Sequence, residues 1–560
     1  MINFVNYKFI NIVLIYVTYN FNTINIFQIS KPDPKLSFRL PRANQKTENI
    51  ALKAVKKVYG TNQALDFTTQ YKRGQINNQA LIDDLYKNNS TGVPHCIDPS
   101  YLQALAFIKS ISTPKEQLKT VHFTGIRNYP INNSGSAELP YVTDPTFKKY
   151  VHELYTKGAI KNRKLSKGNG MNMILTKERV KVHQLKDAIL KPVHAFADTR
   201  MHARSHLTLT TAHDKIRAVY GVCCLMIFIE IMLLWPLMNH LDESDSFIAW
   251  GFETFTGGLQ KLKDQTVGYT YHFSLDFSTF DKLIPFWLID DIHTIWYSFY
   301  TIGPYYTDDP RYPNSFTEPK RINRLWHAMN YFVKRTTYRA PDGSRYSRRH
   351  SGIPSGLLQT QLLGSFANAI MVISALIHVG ISTSDIFFKT LGDDGTFSIT
   401  TLHIIPQELL DEIANYCKLH FNAKINPDKS IFNYGSENLQ FLSYKFYNGA
   451  IRRVNDDLIG KLLYPEHEHF DTTTTKSRAY GILVANLGFD ADVHAVCCDI
   501  IHYLSDVEIH LNALDWYDAQ RVKLFIKRFG TRIPTRDELF VMSKTPTYPT
   551  EPSNFCKYIH

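Results

Sequence analysis

The chain has 560 residues, and its 63 Lys and Arg against 51 Asp and Glu give a formal net charge of +12, which favours a polyanionic partner. With 44% hydrophobic and 20% charged residues, the composition excludes a disordered chain, a collagen-like rod and a coiled coil. Seven cysteines without CxxC spacing exclude a disulfide framework and a zinc-finger pattern, so we expect a reduced, intracellular protein.

Two apolar stretches raise the question of a membrane segment. The first, FINIVLIYV after Lys8, is interrupted by Asn and Tyr and has no small-residue cleavage site, which favours a packed arm over a signal or anchor. The second, Cys223 to Met238, contains Glu230 and is shorter than the span of about 20 apolar residues that a bilayer requires. We expect a buried helix there and no membrane association.

Positive charge is concentrated in two segments. Residues 151–220 contain 14 Lys and Arg against 5 Asp and Glu, and residues 320–350 contain 9 against 1. A single charge run is usually a solvated face, but two runs that together exceed the net charge favour a basic groove for phosphates. In the second run, basic residues alternate with Tyr, His and Trp, which suits a single strand whose bases stack.

A carboxylate follows a predicted strand in the middle of the chain. Residues 271–275 alternate in polarity as a strand does, and Asp276 comes directly after them. Asp281 follows five residues later, just before Pro285, where a helix is predicted to begin. An ordinary strand-end aspartate is the structural alternative to a functional one.

A hairpin, a glycine-rich loop and a long helix are predicted next. Strands at 336–340 and 344–348 flank a Pro-Asp-Gly turn, and SGIPSG at 351–356 follows. The apolar helix after it carries polar residues, of which Thr360 and Asn368 are eight apart and so share a face. Such groups either contact a ligand such as a sugar or bond back to their own helix.

The motif LGDDG places two adjacent carboxylates, Asp393 and Asp394, at the tip of a hairpin predicted between strands 386–390 and 396–400. Taken alone, this motif is more often just a turn. Together with Asp276 it forms a hard-oxygen site suited to Mg²⁺ or Mn²⁺, with two ions about 3.5–4 Å apart for phosphoryl transfer.

At this point the order of the motifs resembles one family. DFSTFD, SGIPSG, LGDD, INPDKS and FLSY are similar to motifs A to E of viral RNA-dependent RNA polymerases, in that order and with matching spacing. DFSTFDKLIPFWLI, SGIPSGLLQTQLLGSFANAI and INPDKS narrow the resemblance to the partitivirus-like polymerases of double-stranded RNA viruses, with the picobirnavirus-like group as the near alternative. The resemblance covers about residues 134–485, because Pro465–Glu466 and SRAYG at 477–481 also fit the pattern.

The resemblance implies a role for each matching residue. Asp276, Asp393 and Asp394 would hold two Mg²⁺ ions, which Mn²⁺ can replace, and Lys429 would protonate the pyrophosphate. Asp281 and Asn368 would read the 2′-hydroxyl, and in DKIRAVYGV, which resembles motif F, Lys215 and Arg217 would grip the triphosphate. The residues expected around the nucleotide are thus Asp281, Ser355, Gly356, Thr360, Asn368, Lys215 and Arg217.

RNA contacts are expected in the basic segments and near Ser134–Tyr141. SGSAELPY there resembles the template-guiding motif G, although Glu138 stands where glycine is expected. The residues expected to contact RNA are Arg204, Ser136, Arg345, Arg348 and Arg349. The implied partners are RNA template and nascent RNA, NTPs and a viral capsid protein, and the implied location is the host cytoplasm, inside the virion.

The implied fold is α+β: a closed right hand with an antiparallel palm sheet backed by helices, basic fingers and a helical thumb. The predicted division is an N-terminal arm at 1–50, fingers at 51–270, palm at 271–299, a fingers insertion at 300–350, palm at 351–446, and thumb and tail at 447–560. Two other classes stay open: a reverse transcriptase-like polymerase, against which Asn368 and GDD speak, and a non-catalytic RNA-binding or capsid-associated protein.

Overall fold

The computed structural model describes residues 23–33, 45–87, 89–303, 315–401, 405–453, 458–465, 471–507 and 532–546, with Leu36, Tyr306, Tyr312 and Phe529. The helices in this part of the chain are α1 (Gln45–Tyr59), α2 (Thr61–Gln70), α3 (Asn78–Tyr86), α4 (Pro99–Ser112), α5 (Pro145–Thr156), α6 (Lys167–Lys186), α7 (Pro192–Ala195), α8 (Cys224–Glu243), α9 (Gly258–Gln265), α10 (Phe280–Leu283), α11 (Phe286–Tyr297), α12 (Pro319–Arg335), α13 (Thr360–His378), α14 (Pro406–Phe421), α15 (Leu458–Leu463), α16 (Thr472–Ala485), α17 (Ala491–Tyr503) and α18 (Arg536–Lys544).

The strands of the described residues are short and fall into four sheets. In chain order they are β1 (Ile26–Ser30), β2 (Tyr71–Arg73), β3 (Thr199–Ser205), β4 (Leu207–Leu209), β5 (Ile216–Gly221), β6 (Tyr271–Ser274), β7 (Tyr338–Arg339), β8 (Arg345–Arg348), β9 (Ile386–Leu391), β10 (Asp394–Ile399), β11 (Ile431–Tyr434), β12 (Gln440–Phe441), β13 (Tyr444–Tyr447) and β14 (Ala450–Arg453). The predicted hairpins at 336–348 and 386–400 are confirmed as β7–β8 and β9–β10, and the helix after Pro285 as α11.

A four-stranded antiparallel sheet with the order β11-β6-β10-β9 lies at the centre of the chain. Its strands are joined by a row of stacked phenylalanine rings, Phe432, Phe273, Phe397 and Phe388, with centroids 5.4–5.8 Å apart. Cross-strand aromatic pairs of this kind stabilise a sheet beyond the area that they bury. These rings belong to the main hydrophobic core, which also contains α13 and α14.

Two apolar helices run through that core. α13 packs against α4, α11, α14 and the strand pair β9–β10, and α8 packs against α6 and α12. The buried helix predicted at 223–238 is therefore confirmed as α8. By length and composition, α8 and α13 are the two described helices that could cross a membrane, yet 78% and 83% of their apolar windows are buried inside the protein, as is usual for core helices.

A five-stranded sheet with the order β1-β8-β7-β3-β5 lies beside the central sheet. Its outermost strand β1 comes from the N-terminal region and pairs antiparallel with β8, more than 300 residues later in the chain. A small core beneath the sheet contains Ile26, Met201, Tyr220, Tyr338 and Tyr346. Segments distant in sequence therefore share one sheet, which contains the last part of each basic region identified in the sequence.

A second helical core joins the two ends of the described chain. Ala51, Ala54 and Val55 of α1 and Ala64 of α2 pack with buried residues of α15, α16, α17 and α18. The small residues let α1 approach α17 closely, because few atoms separate the helix backbones. The apolar segment after Lys8, Glu466 and residues 547–560 lie outside the described residues.

Candidate active site

Three carboxylates lie at one end of the four-stranded sheet. Asp276 follows β6, Asp393 occupies the turn between β9 and β10, and Asp394 begins β10. The antiparallel register of β10 on β6, extended by two residues, brings Asp394 level with Asp276. Gly392 in the same turn has a φ of +66°, which glycine adopts without strain. The structure thus brings the predicted metal ligands together.

The three carboxylates act on one another electrostatically. Burial among protein atoms, followed by repulsion from Asp393 and Asp276, raises the pKa of Asp394 to about 7. Burial and the charge of Asp276 also raise the pKa of Asp393, while Arg217 opposes this rise. Both residues nevertheless are exposed to solvent. Negative charge at this place is therefore unfavourable until a cation offsets it.

This donor set fits a hard divalent cation. Carboxylate oxygens are the ligands that Mg²⁺ prefers, and Mg²⁺ commonly takes only one or two of them, with water and substrate phosphates completing its shell. Among the described residues, no three His, Cys, Asp or Glu side chains form a ready-made metal cage. The repulsion between Asp393 and Asp394 is the observation that supports a cation here, because a bound cation would relieve it.

Asp281 faces the same site from α10. Burial and the charge of Asp393 raise its pKa to about 7, and Arg217 and Lys282 oppose the rise. Its backbone carbonyl accepts a hydrogen bond from the Ile353 N–H at 2.8 Å. Asp281 therefore connects the segment after β6 to the glycine-rich loop at 351–356.

The glycine-rich loop lies against β5. A Cβ atom on Gly356 would stand 1.7 Å from the Tyr220 carbonyl oxygen, so only glycine fits this contact. The hydroxyl of Ser355 is buried and has no hydrogen-bond partner within the described part of the chain, so its hydrogen-bonding capacity is unused there. Thr360 donates from Oγ1 to the Pro354 carbonyl at 3.1 Å, so it holds the loop rather than bonding back to its own helix.

Asn368 is fully buried in the middle of α13 and supports the turn of the β9–β10 hairpin. Its Nδ2 donates to the carbonyl oxygens of Gly392 at 3.2 Å and Asp393 at 2.9 Å. Its Oδ1 is buried and has no hydrogen-bond partner among the residues that the structure describes. Gly395 makes room for this side chain, because a Cβ there would lie 3.0 Å from Nδ2. Asn368 thus contacts the backbone of the carboxylate turn directly.

Lys429 lies on the other side of Asp276. The register of β11 on β6, extended by two residues, brings Lys429 level with Asp276, and its side chain is exposed. The turn before β11 is fixed to the same aspartate, because the Asn426 N–H donates to the Asp276 carbonyl at 2.8 Å. The Asp276 N–H in turn donates to Ser430 Oγ at 3.2 Å. The predicted general acid is therefore next to the predicted metal ligands.

A basic ridge formed by β3 and β5 faces the carboxylates. Arg204 and Arg217 are directly opposite each other in this strand pair, Lys215 precedes β5, and all three are exposed. Burial, then Arg217 and Lys429, lower the pKa of Lys215, whereas Asp276 opposes this. These interactions show that the ridge and the carboxylates share one electrostatic environment.

The loop at 134–141 is tied to the same sheet through Glu138. Its carboxylate lies 3.4 Å from Arg200 Nη1 and 3.3 Å from His202 Nε2. Burial alone would raise the pKa of Glu138, but His202 and Arg200 outweigh it and hold the pKa below its usual value. Glu138 has a φ of +54°, a left-handed conformation that favours glycine, and glycine is the residue that the resemblance to motif G leads us to expect at this position. Ser136 is half-buried and accepts the Glu138 N–H at 3.2 Å.

The three arginines near the β7–β8 hairpin differ in their surroundings. Arg348 is 2% exposed and donates to the carbonyl oxygens of Gly352 and, at 2.7 Å, Val333. We therefore correct its predicted role: it stabilises the glycine-rich loop from inside and does not reach RNA. Arg345 is partly exposed and pairs with Asp198, whereas Arg349 donates to the Ile24 carbonyl of the segment before β1.

Two buried acids near the site were not predicted from the sequence. Asp84 on α3 accepts the Ala218 N–H of β5 at 2.7 Å and pairs with Lys282, the residue after Asp281, at 2.9 Å. No sequence pattern around Asp84 signals this contact. Glu230 on α8 accepts a hydrogen bond from the Leu358 N–H, just after the glycine-rich loop. The sequence does show a single acid in an apolar helix, and a buried acid must have hydrogen-bond partners.

The antiparallel sheet presents carboxylates from a strand end and from a hairpin turn, and a basic ridge lies opposite them. This arrangement is typical of a right-hand nucleic acid polymerase. The family model described as viral RNA-dependent RNA polymerase matches residues 54–464, and the chain belongs to that family. The resemblance to partitivirus-like polymerases and the predicted α+β right-hand fold, though not its closure, are confirmed by this family and by the relatives and solved structure below.

Individual relatives agree with this assignment. The chain is 27% identical over 398 residues to the RNA-directed RNA polymerase of Atkinsonella hypoxylon virus (isolate 2H), a match that covers 65% of this chain and 58% of that relative. It is 22% identical over 496 residues to the RNA-directed RNA polymerase of White clover cryptic virus 1 (isolate Boccardo/2004), with 79% of each chain covered.

A solved structure shows the same fold. The Sicinivirus 3Dpol RNA dependent RNA polymerase superposes with a TM-score of 0.60, covering 86% of this chain and 94% of that one at 14% identity. At that identity the likeness concerns the fold alone.

Proposed function

We propose that the chain is an RNA-directed RNA polymerase that replicates and transcribes a viral double-stranded RNA genome from NTPs. The observation that carries this proposal is the meeting of Asp276, Asp393 and Asp394 at one sheet end, with Lys429 beside them and Arg217 facing them. Such an arrangement suits nucleotidyl transfer, in which negative charge must be held in place and then offset.

Different residues of the chain bind the metal ions, bind the triphosphate and protonate the leaving group. Mg²⁺ or Mn²⁺ held by Asp276, Asp393 and Asp394 would activate the 3′-hydroxyl and offset charge that develops on the phosphate. Arg217 and Lys215 bind the triphosphate, the arginine through a bidentate fork and the lysine as a mobile point charge. Lys429 carries a proton and gives it to the departing pyrophosphate.

Ser355, Asn368 and Asp281 are the groups that read the nucleotide sugar. Among the described residues, the Ser355 hydroxyl and Asn368 Oδ1 are buried and have no hydrogen-bond partner, and Asp281 lies within electrostatic reach of Asp393. A ribose hydroxyl would satisfy such groups, whereas a deoxy sugar would leave them unpaired, which is how polar sites reject an analogue. Gly356 and Thr360 hold the loop that places Ser355.

RNA binds along the basic surface. Arg204 on the ridge, Arg345 and Arg349 near the β7–β8 hairpin and Ser136 in the loop at 134–141 are accessible to a strand that approaches the site. Contacts with phosphates supply affinity without sequence preference. The contact of α1 with α15–α17 supports a closed hand, because it joins the N-terminal half of the chain to the C-terminal helices.

The division into subdomains and the partners follow from the same proposal. We place the fingers at 51–270 and 300–350, the palm at 271–299 and 351–446, and the thumb at 447–560, after an N-terminal arm at 1–50. The enzyme works in the host cytoplasm, inside a virion whose capsid protein it contacts.

The proposal is tested by nucleotide incorporation on defined RNA templates. Single-stranded and double-stranded RNA, with and without a primer, are incubated with labelled rNTPs or dNTPs and Mg²⁺. Template-dependent incorporation of rNMPs supports the proposal. Preference for dNTPs would indicate a reverse transcriptase-like enzyme, and RNA binding without incorporation would indicate a non-catalytic RNA-binding protein.

A further inference from the structure

A buried carboxylate outside the polymerase motifs holds the glycine-rich loop. Glu230 lies in the middle of α8 and is fully buried among apolar residues. Its two oxygens accept the N–H groups of Leu358 and Gln359 at 3.0 and 3.2 Å, and the Gln359 side-chain amide at 2.9 Å. Burial raises the pKa of Glu230 to about 7, against the lowering effect of these three donors.

The hydrogen bonds continue beyond Gln359, and each residue in the series donates to the one nearer Glu230. Gln359 Oε1 lies 2.6 Å from His293 Nε2, and His293 Nδ1 lies 3.1 Å from Asn330 Nδ2. Burial lowers the pKa of His293 to about 4, so the ring is neutral, with one donor nitrogen and one acceptor nitrogen, as this chain of contacts requires. Asn330 also donates to Asp290 at 2.8 Å, so α8, α11 and α12 all contribute to one network.

The position of the network connects it with the nucleotide site. Leu358 and Gln359 stand between the loop containing Ser355 and the first turn of α13, a place where helix N–H groups lack partners within the helix. Gln359 is the N-cap residue of α13, and Glu230 of α8 accepts the main-chain N–H of Gln359 and of the residue before it, so it fixes the chain where the helix begins. α8 also begins three residues after β5, the strand that carries Arg217.

We propose that Glu230, through Gln359 and His293, is a positioning group for the nucleotide site. It fixes the loop that contains Ser355 relative to β5 and the first turn of α13. The distance between Ser355, which binds the sugar, and Arg217 of β5, which binds the triphosphate, is thereby kept constant. It acts through these residues and does not touch the substrate. The inference rests on the proposed polymerase activity.

The test uses Glu230→Gln. This change keeps the shape of the side chain but replaces one acceptor oxygen by an NH₂ group, which cannot accept a hydrogen bond from the N–H donors. We expect an apparent KM for NTPs raised about tenfold, with a smaller change in kcat, because one buried donor loses its acceptor. We also expect faster hydrogen–deuterium exchange confined to a peptide spanning residues 353–362. Adding Gln359→Glu restores an amide–carboxylate pair and is expected to recover much of both effects.

The matched control is Lys476→Met in α16. Lys476 is also buried and hydrogen-bonded, to the carbonyl oxygens of Leu504 and Val507, but far from the site in the helical core with α17. It is expected to lower the melting temperature without changing the KM. If Glu230→Gln does not fold, Gln359→Met removes the side-chain links and leaves both main-chain hydrogen bonds to Glu230.

The outcomes separate the two proposals. If Glu230→Gln, or Gln359→Met in its place, changes only the melting temperature, as the control does, the positioning role is wrong. If the wild-type chain incorporates no nucleotide, the polymerase proposal fails, while the exchange comparison still decides whether Glu230 orders the loop. Slower or unchanged exchange at 353–362 would overturn the inference.

Discussion

Asn368 and Asp393 are joined directly: the side-chain amide of Asn368 donates to the Asp393 carbonyl oxygen at 2.9 Å. The middle of α13 therefore holds the backbone of the turn that carries the carboxylates. Because Asn368 has no solvent exposure, this contact is shielded from competing water. The geometry of the carboxylate turn depends on a residue 25 positions earlier in the chain.

Replacing Asn368 tests that dependence. Asn368→Ala removes the donor to the Gly392 and Asp393 carbonyl oxygens, which are partly buried, at a cost of about 1–3 kcal/mol, so we expect rNMP incorporation to fall about 10- to 100-fold. Asn368→Asp is expected to be worse, since a carboxylate would face those carbonyls. Ser374→Ala on the same helix is the control, because the Ser374 hydroxyl donates to the Ile370 carbonyl oxygen of α13 itself. Activity of Asn368→Ala within twofold of wild type would contradict this account.

Gly356 offers a second test, of packing. Any Cβ at this position collides with the Tyr220 carbonyl oxygen, so Gly356→Ala must move the loop or β5, which carries Arg217. We expect a large loss of kcat/KM for NTPs, measured by primer extension. Gly481→Ala is the matched control, because a Cβ there would meet no atom of the described residues within 4 Å and alanine favours a helix. Wild-type kinetics for Gly356→Ala would disprove the tight contact.

The parts that sequence reasoning predicted correctly are those whose signals are local. Alternating polarity and turn residues predicted the strands around Asp276 and Asp393, and a run of apolar residues predicted α8 as a buried helix. Ordered motifs then indicated which acids belong together. Each strand, turn, helix and motif is a pattern of neighbouring residues, which the sequence shows directly.

Features that depend on distant pairing could not be predicted. β1 pairs with β8 across more than 300 residues, and that pairing decides what surrounds Arg348 and Arg349. Arg348 has the same local pattern as its neighbours, yet alternation along β8 turns it inward, where backbone carbonyls replace RNA as its partners. The left-handed backbone of Glu138 was likewise visible only in the folded loop.

Glu138 gives a prediction about stability. Its left-handed φ is strained for any side chain, but its carboxylate gains contacts to Arg200 and His202. Glu138→Ala keeps the strain and loses the contacts, whereas Glu138→Gly loses the contacts and relieves the strain, a difference of about 1 kcal/mol. We expect melting temperatures in the order wild type, Gly variant, Ala variant. An Ala variant more stable than the Gly variant would refute this reading of the loop.

Metal binding should depend on pH in a defined direction. The pKa values of Asp281 and Asp394 are raised to about 7 from the ordinary value of 3.8. Between about pH 4 and pH 7, both carboxyls are therefore protonated in the metal-free folded protein and ionised in the unfolded chain. The metal-free protein therefore loses stability as pH rises from about 4 to 7, because the carboxylates must then ionise near one another.

Mg²⁺ binds the ionised form, so its binding is expected to release protons near pH 6.5 and few above pH 8. Titration calorimetry in buffers with different ionisation enthalpies measures this release. The gain in melting temperature with Mg²⁺ is expected to be larger at pH 8 than at pH 5.5. Proton release that does not change with pH would contradict the shifted pKa values.

The central claim, that the carboxylate turn is the site of nucleotidyl transfer, is tested most directly by Asp393→Asn. This change keeps the shape of the side chain and removes its charge, whereas Asp385→Asn makes the same change in an exposed residue at the other end of β9. With Mg²⁺, rNTPs and an RNA template, we expect no detectable incorporation by Asp393→Asn, and wild-type incorporation by Asp385→Asn, with both variants folded. Incorporation by Asp393→Asn at a rate near that of the wild type would contradict the account.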